Sequence, residues 1–208
     1  MKLENYLDQA GRWPKAGRHI LAQYDDENII VYQAYRPSIG RYAAKHQEFG
    51  GEFSYSRMSW IKPNFLWMMY RSGWGTKEGQ EVILAVTIPR SLFDEILDEA
   101  VPSSYTPALY PDHDSWKNAI ATSQVRLQWD PDHAPNGEPQ ERRAIQLGLR
   151  GEMLRRFAKD QVVQIEDISD FVAEQRPHSA GDLKRLVTPK EEVYLPKLST
   201  TRKSVGIE

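Results

Sequence analysis

The 208-residue chain has no cysteine. That excludes disulfides, a thiolate nucleophile and a cysteine-bound zinc, and it fits a cytoplasmic protein. Strong charge of either sign is also missing: 27 basic residues stand against 29 acidic ones. This balance argues against bulk attraction to nucleic acid but leaves room for a local basic cleft. No apolar run approaches the roughly 20 residues needed to span a membrane, so no membrane partner is expected. The opening residues, MKLENYLDQAGRWPK, lack the apolar core of a secretory signal and carry acids early. G-x-S-x-G, Walker, G-x-G-x-x-G and H-E-x-x-H patterns are absent. The hydrolase, nucleoside-triphosphatase, Rossmann and zinc-protease readings therefore lose their main support.

What the chain does have is concentrated. The stretch RMSWIKPNFLWMMYRSGWGTK, residues 57–77, holds three of the six tryptophans and three of the five methionines. Its charged residues are Arg57, Lys62, Arg71 and Lys77, with no acid among them. Guanidinium forks pair with phosphates, ammonium groups add point charge, and a flat indole such as Trp60 stacks on a base. Gly73 and Gly75 allow close backbone approach to an anion. Cations with no acid nearby need an outside counter-charge or distant carboxylates. The alternative is a core helix with cations reaching outward, which is the expectation for Phe65, Leu66, Met68 and Met69.

The pattern around this stretch predicts an α+β fold. Residues 28–35, NIIVYQAY, are rich in β-branched and aromatic side chains and read as a strand. Pro37 then opens a helix that Gly50-Gly51 stops, and Pro63 opens a second that ends near Gly73. EVILAVTI, residues 81–88, is a continuous apolar run and predicts a central strand covered on both faces. SLFDEILDEA follows as an amphipathic helix with Ser91 as its cap. QVRLQW and RAIQLGL alternate as strands, separated by the turn-forming DPDHAPNGEPQ. Helices GEMLRRFAKD and ISDFVAEQR flank a short strand, VVQIED. The expected plan is an arm at 1–18, one domain at 19–196 with a mixed or largely antiparallel sheet, and a flexible tail at 197–208.

Three further groups are candidates. Gln33, Tyr35 and Arg36 stand where a strand passes into a helix, a common ligand position. There Tyr35 stacks and Arg36 holds phosphate, or else Tyr35 is core in an ordinary junction. In Asp130-Pro131-Asp132-His133, two carboxylates and an imidazole suit a divalent metal or a general base, Asp132 with His133 beside it as a ligand contact, or the four form an Asx-type turn. Adding Asp112 and His113 to build a metal site matches no known ligand spacing, and no metal is assigned. Arg143 and Gln146 face a cleft if RAIQLGL is a strand, while Arg142 is expected on a solvated face. His19, His46 and His178 are isolated.

The runs ILAQYDDENIIVYQAYRPSIGRYA, SRMSWIKPNFLWMMYRSGWGTKEGQEV, VRLQWDPDH and RRAIQLGLRGEMLRRF resemble domain-of-unknown-function family 4291 over nearly the whole chain. That family implies no function. A more distant likeness is to ADP-ribosyltransferase folds. NIIVYQAYRPSIGRYAAKH is similar to their opening strand and helix, with Gln33 or Tyr32 where those enzymes carry histidine. EVILAVTIPRSLF is similar to a later strand of theirs. RRAIQLGL stands where they carry a glutamate or glutamine strand, with Gln146 as the nearest match.

Two functional readings follow, with a third beside them. The resemblance implies a transferase that binds NAD or another nucleotide: Arg36, Arg57 and Lys62 hold phosphates, Tyr35 and Trp60 stack, and Gln33 and Gln146 orient the ribose. The second reading is a module for RNA or single-stranded nucleic acid, using the same cations and indoles as a groove. The third is a non-catalytic scaffold whose cations point to separate patches of solvent.

Overall fold

A computed structural model describes residues 1–207. The apolar run forms strand β6 (Val82–Pro89), which lies between β4 (Asn28–Tyr35) and β10 (Gln164–Asp167) in an antiparallel sheet. Val82, Leu84, Val86 and Ile88 enter one hydrophobic core and Ile83 and Ala85 the other. The run has no polar face because both of its faces are covered.

A second sheet has the order β2 (Gly17–Arg18), β9 (Pro139–Leu149), β8 (Val125–His133) and β7 (Ala100–Pro102). Strand β5 (Ser59–Ile61) adds to β9 with Trp60 opposite Gly148. Parallel and antiparallel pairs mix here, as β2 and β7 run parallel to their neighbours. The fold is α+β. Gly148 matters locally: a Cβ there would come within 2.6 Å of Met58 Sδ and 3.0 Å of Trp60 Cε2, so its absence lets both side chains lie on β9.

Helix α2 (Pro37–His46) follows β4 and packs closely on β6, where a Cβ at Gly40 would stand 2.5 Å from Val82 Cγ1. It ends at Gln47, which turns left-handed, ahead of the expected glycine pair. Helix α3 (Phe65–Ser72) is capped by Asn64, whose side chain accepts from the Trp67 N–H at 2.7 Å. Phe65, Leu66, Met68 and Met69 are buried, as expected of a core helix. Helix α4 (Arg90–Asp98) starts from Pro89 with no side-chain cap, so Ser91 does not act as one. The turn-rich stretch after Trp129 is shorter than expected: β8 runs on to His133 with an irregularity after Pro131, and β9 resumes at Pro139.

Regular elements form near both ends of the described chain. In the predicted arm, β1 (Leu3–Asn5) pairs with β11 (Val187–Pro189), and Trp13 is buried with its indole N–H on the Glu191 carbonyl at 2.9 Å. Strand β3 (Ile20–Ala22) pairs with β12 (Glu192–Tyr194). In place of the flexible tail there is a helix, α8 (Ser199–Val205), with Thr201 and Val205 buried and the Val205 carbonyl accepting from Trp129 Nε1. Residue 208 of that tail lies outside the described residues. Among the described residues no helix is long and apolar enough to cross a membrane.

Candidate functional site

A cavity of about 530 Å³ opens where β4 ends and β5 passes toward α3. Gln33, Tyr35 and Arg36 line one side of it, and Arg57, Trp60 and Lys62 the other. Met68 and Arg71 of α3 complete the wall. The two segments singled out in the sequence therefore face each other, joined through the backbone: Tyr32 N–H donates to the Lys62 carbonyl at 2.7 Å and Lys62 N–H returns the bond at 3.2 Å.

The floor is a closed polar set with one vacancy in its hydrogen bonding. Gln33 Nε2, with two hydrogens to donate, lies within hydrogen-bond reach of Ser59 Oγ at 2.8 Å, the Tyr35 hydroxyl at 3.1 Å and the Trp60 carbonyl at 3.2 Å. A carbonyl only accepts, so the Trp60 contact fixes which end of the amide is which. Gln33 Oε1 is then buried with no hydrogen-bond partner among the described residues. The Tyr35 hydroxyl and Ser59 Oγ share a 2.6 Å hydrogen bond. Burial pushes the Tyr35 phenol up to about 12, so it stays neutral. Its ring packs edge-on against Phe49 and Phe53, which leaves stacking on a ligand to Trp60.

Cations ring this floor. Arg57 and Arg71 are exposed at the mouth, and Lys62 is buried beneath them with 6% exposure. Among the described residues no carboxylate lies within 4.0 Å of any of the three. Burial holds the Lys62 ammonium down to about 8, helped by Arg71 and opposed by Asp130. Arg36 also lines the cavity but is paired at 2.7 Å with exposed Glu52. The site is thus recessed, with neutral hydrogen-bonding groups inside and free positive charge outside. Such a shape is chemically suited to an anion whose other end carries a hydrogen-bond donor.

The start of α3 is held by Glu191, which accepts from the Phe65 N–H at 2.6 Å and from Asn64 Nδ2 at 3.0 Å. Burial pushes this carboxyl up to about 8. Through α3 it fixes where Met68 and Arg71 stand.

The remaining sequence candidates lie elsewhere. Asp132 is buried in an ion pair with Arg142, at 2.8 Å to Nε and 2.5 Å to the guanidinium tip, and it also accepts from the His133 N–H. Arg142 is therefore not solvated: it donates to the Pro14 carbonyl and lies 5.3 Å from the Trp13 ring centroid. Both Asp132 oxygens are engaged, Oδ2 by the guanidinium and Oδ1 by the His133 N–H, and Asp132 does not line the cavity. His133 stacks on Tyr70, 3.4 Å between ring centroids, and on Trp67, and burial lowers its pKa. Gln146 does not line the cavity; it donates to Gln128 and to Asp130 at 2.7 Å. Asp130 and Gln128 border a separate hollow of about 450 Å³ beside α8. Arg143 is exposed beside Arg18 on β2, and Lys77 is exposed beyond the end of α3; neither lines the cavity.

Sequence reasoning missed Ser59, Glu52 and Glu191. Only Ser59 carried a signal, as the neighbour of Trp60 in a short alternating run. Among the described residues no group of three or more His, Asp or Glu is placed to hold a metal ion.

Fold and site together describe an α+β domain with one strongly cationic, aromatic-walled cavity at the meeting of two sheets. The chain belongs to the family described as "Domain of unknown function (DUF4291)", whose model matches residues 19–194. A comparison with curated proteins finds no match.

Proposed function

We propose that this domain binds a nucleotide through its phosphates, with NAD as the leading ligand, and that it is a transferase of the ADP-ribosyltransferase kind. The observation that carries the reading is the convergence of Arg57, Lys62 and Arg71, all without carboxylate partners within 4.0 Å among the described residues, on the cavity that Gln33 and Trp60 also line. Paired phosphates satisfy the guanidinium groups, Trp60 offers a stacking face, and Gln33 Oε1 accepts from a ribose hydroxyl or a carboxamide N–H. Gln146 lies outside this cavity, so it takes no part in holding the ribose. Glu52, released from Arg36, is the carboxylate at hand for charge developing on that sugar.

Isothermal titration with NAD, ADP-ribose, ADP and inorganic pyrophosphate tests this. Binding is expected for all four, and Arg57→Ala with Arg71→Ala should weaken it by roughly a hundredfold, about 3 kcal/mol for two charge-assisted contacts. No heat at millimolar ligand with folded protein sinks the proposal. A short single-stranded oligonucleotide binding more tightly than any mononucleotide would transfer the site to the nucleic-acid reading.

A further inference from the structure

Lys62 is an unsuitable residue if the cavity needs only charge. An arginine would stay ionised when buried and would hold a phosphate by two bonds, as Arg57 and Arg71 can at the mouth. Lys62 instead carries a compact amine on a stem whose root is fixed, since its backbone is bonded both ways to Tyr32 and followed by buried Pro63. Its amine has no hydrogen-bond partner or ion pair among the described residues. A desolvated amine beside another cation is the usual setting of a nucleophilic lysine. The downward pull of burial on its proton, toward about 8, agrees with that setting.

We propose that Lys62 is a nucleophile, and that its Nζ condenses reversibly with the carbonyl carbon of a phosphorylated aldehyde seated in this cavity. The inference rests on the reading of Arg57 and Arg71 as phosphate contacts. The nitrogen lone pair attacks the carbonyl carbon and forms the C–N bond. The carbonyl oxygen takes up two protons, one from the amine and one from solvent, and leaves as water. The nitrogen keeps its second hydrogen, so the product is an imine already protonated on nitrogen; its charge is balanced by the phosphate at the mouth. No oxidant or reductant is needed. Gln33 Oε1 accepts from a hydroxyl near the reacting carbon, which points to a sugar phosphate in its open-chain form. A free aldose phosphate and the terminal ribose of ADP-ribose share that chemistry.

The probe is pyridoxal 5′-phosphate, with unphosphorylated pyridoxal beside it, each trapped with borohydride and mapped by peptide mass spectrometry. Lys62 should label roughly tenfold or more faster than exposed Lys77, and only the phosphorylated probe should show that preference. Ribose 5-phosphate and ADP-ribose, added as competitors, show which source the cavity prefers. Arg71→Ala should abolish the advantage of the phosphorylated probe while leaving Lys62 in place. Lys62→Arg should lose the adduct, with a thermal melt confirming that it folds. Labelling of Lys62 no faster than Lys77, or equal labelling by both probes, overturns the proposal. If pyrophosphate binds and Lys62 stays unlabelled, the covalent step alone fails; if pyrophosphate does not bind either, the phosphate reading fails with it.

Discussion

Two charged clusters touch α3, one around Arg142 and one around Lys62, and they are built on opposite rules. Arg142 is buried against Asp132, the Pro14 carbonyl and the Trp13 ring, so its charge is matched and its donors are occupied. Lys62 is as deeply buried yet, among the described residues, has no carboxylate within 4.0 Å and no acceptor; Asp130 favours its charge only from farther off, and Arg71 adds to its cost. A matched buried pair holds a fold together once it exists. An unmatched buried cation works against the fold, and groups perturbed in this way cluster at functional sites. Residue types alone do not separate the two, since each cluster has arginine, an aromatic ring and a neighbouring acid.

The contrast can be broken most sharply by removing one member from each side. Asp132→Asn leaves Arg142 buried without its anion and should cost about 3–5 kcal/mol, or a fall in Tm on the order of 10 °C. Lys62→Met should do the reverse at neutral pH and raise stability by roughly 2 kcal/mol. The sign follows from linkage. The folded protein holds the ammonium at about 8, below its ordinary value of 10.5, so folding is penalised below pH 8 and the penalty fades as pH rises toward 10.5. The gain from Lys62→Met should fade over the same interval. A melt series from pH 6 to 10 reads both effects, and a destabilised Lys62→Met at pH 7 contradicts the comparison.

A smaller effect concerns occupancy. An anion beside Lys62 favours its protonated form, so binding takes up a proton. Affinity for pyrophosphate should be flat below pH 8 and fall by up to about tenfold per unit above it. Titration at pH 7, 8 and 9 checks this, and a flat profile removes Lys62 from contact with the ligand. The smallest effect belongs to the rim. Glu52→Ala breaks an exposed ion pair and should change stability by less than about 0.5 kcal/mol, while freeing Arg36 and tightening anion binding about threefold. A titration and a melt of the same variant read the two numbers.

Strand and helix positions were largely legible because apolar periodicity reports burial directly: β6 and α3 lie where their patterns put them. Half of the site was legible for a related reason. Cations crowded into a stretch without acids have no local partner, and Arg57, Lys62 and Arg71 do meet the strand end at Gln33. What misled was any charge whose partner lies far along the chain. Arg142 looks solvated until Pro14 and Trp13, more than a hundred residues earlier, close over it. Asp132 looks catalytic until that same arginine takes one of its oxygens and the His133 N–H the other. Glu191 gives no local sign that it will hold the start of α3. The tail at 199–205 is polar in sequence, yet it forms a helix because Asp98 and the Trp129 indole receive it.

The exchange of backbone hydrogen bonds between Lys62 and Tyr32 comes one residue after β5 leaves β9. Those two bonds stitch one sheet to the other at the floor of the cavity. Neither sheet alone can make the cavity, so it belongs only to the fully folded chain. Whatever occupies it favours the native state by mass action over every partly opened one, and global unfolding becomes the event that releases it. Ligand should therefore slow amide exchange at the centres of β4 and β9 together, which makes cooperative unfolding itself a measure of what this cavity holds.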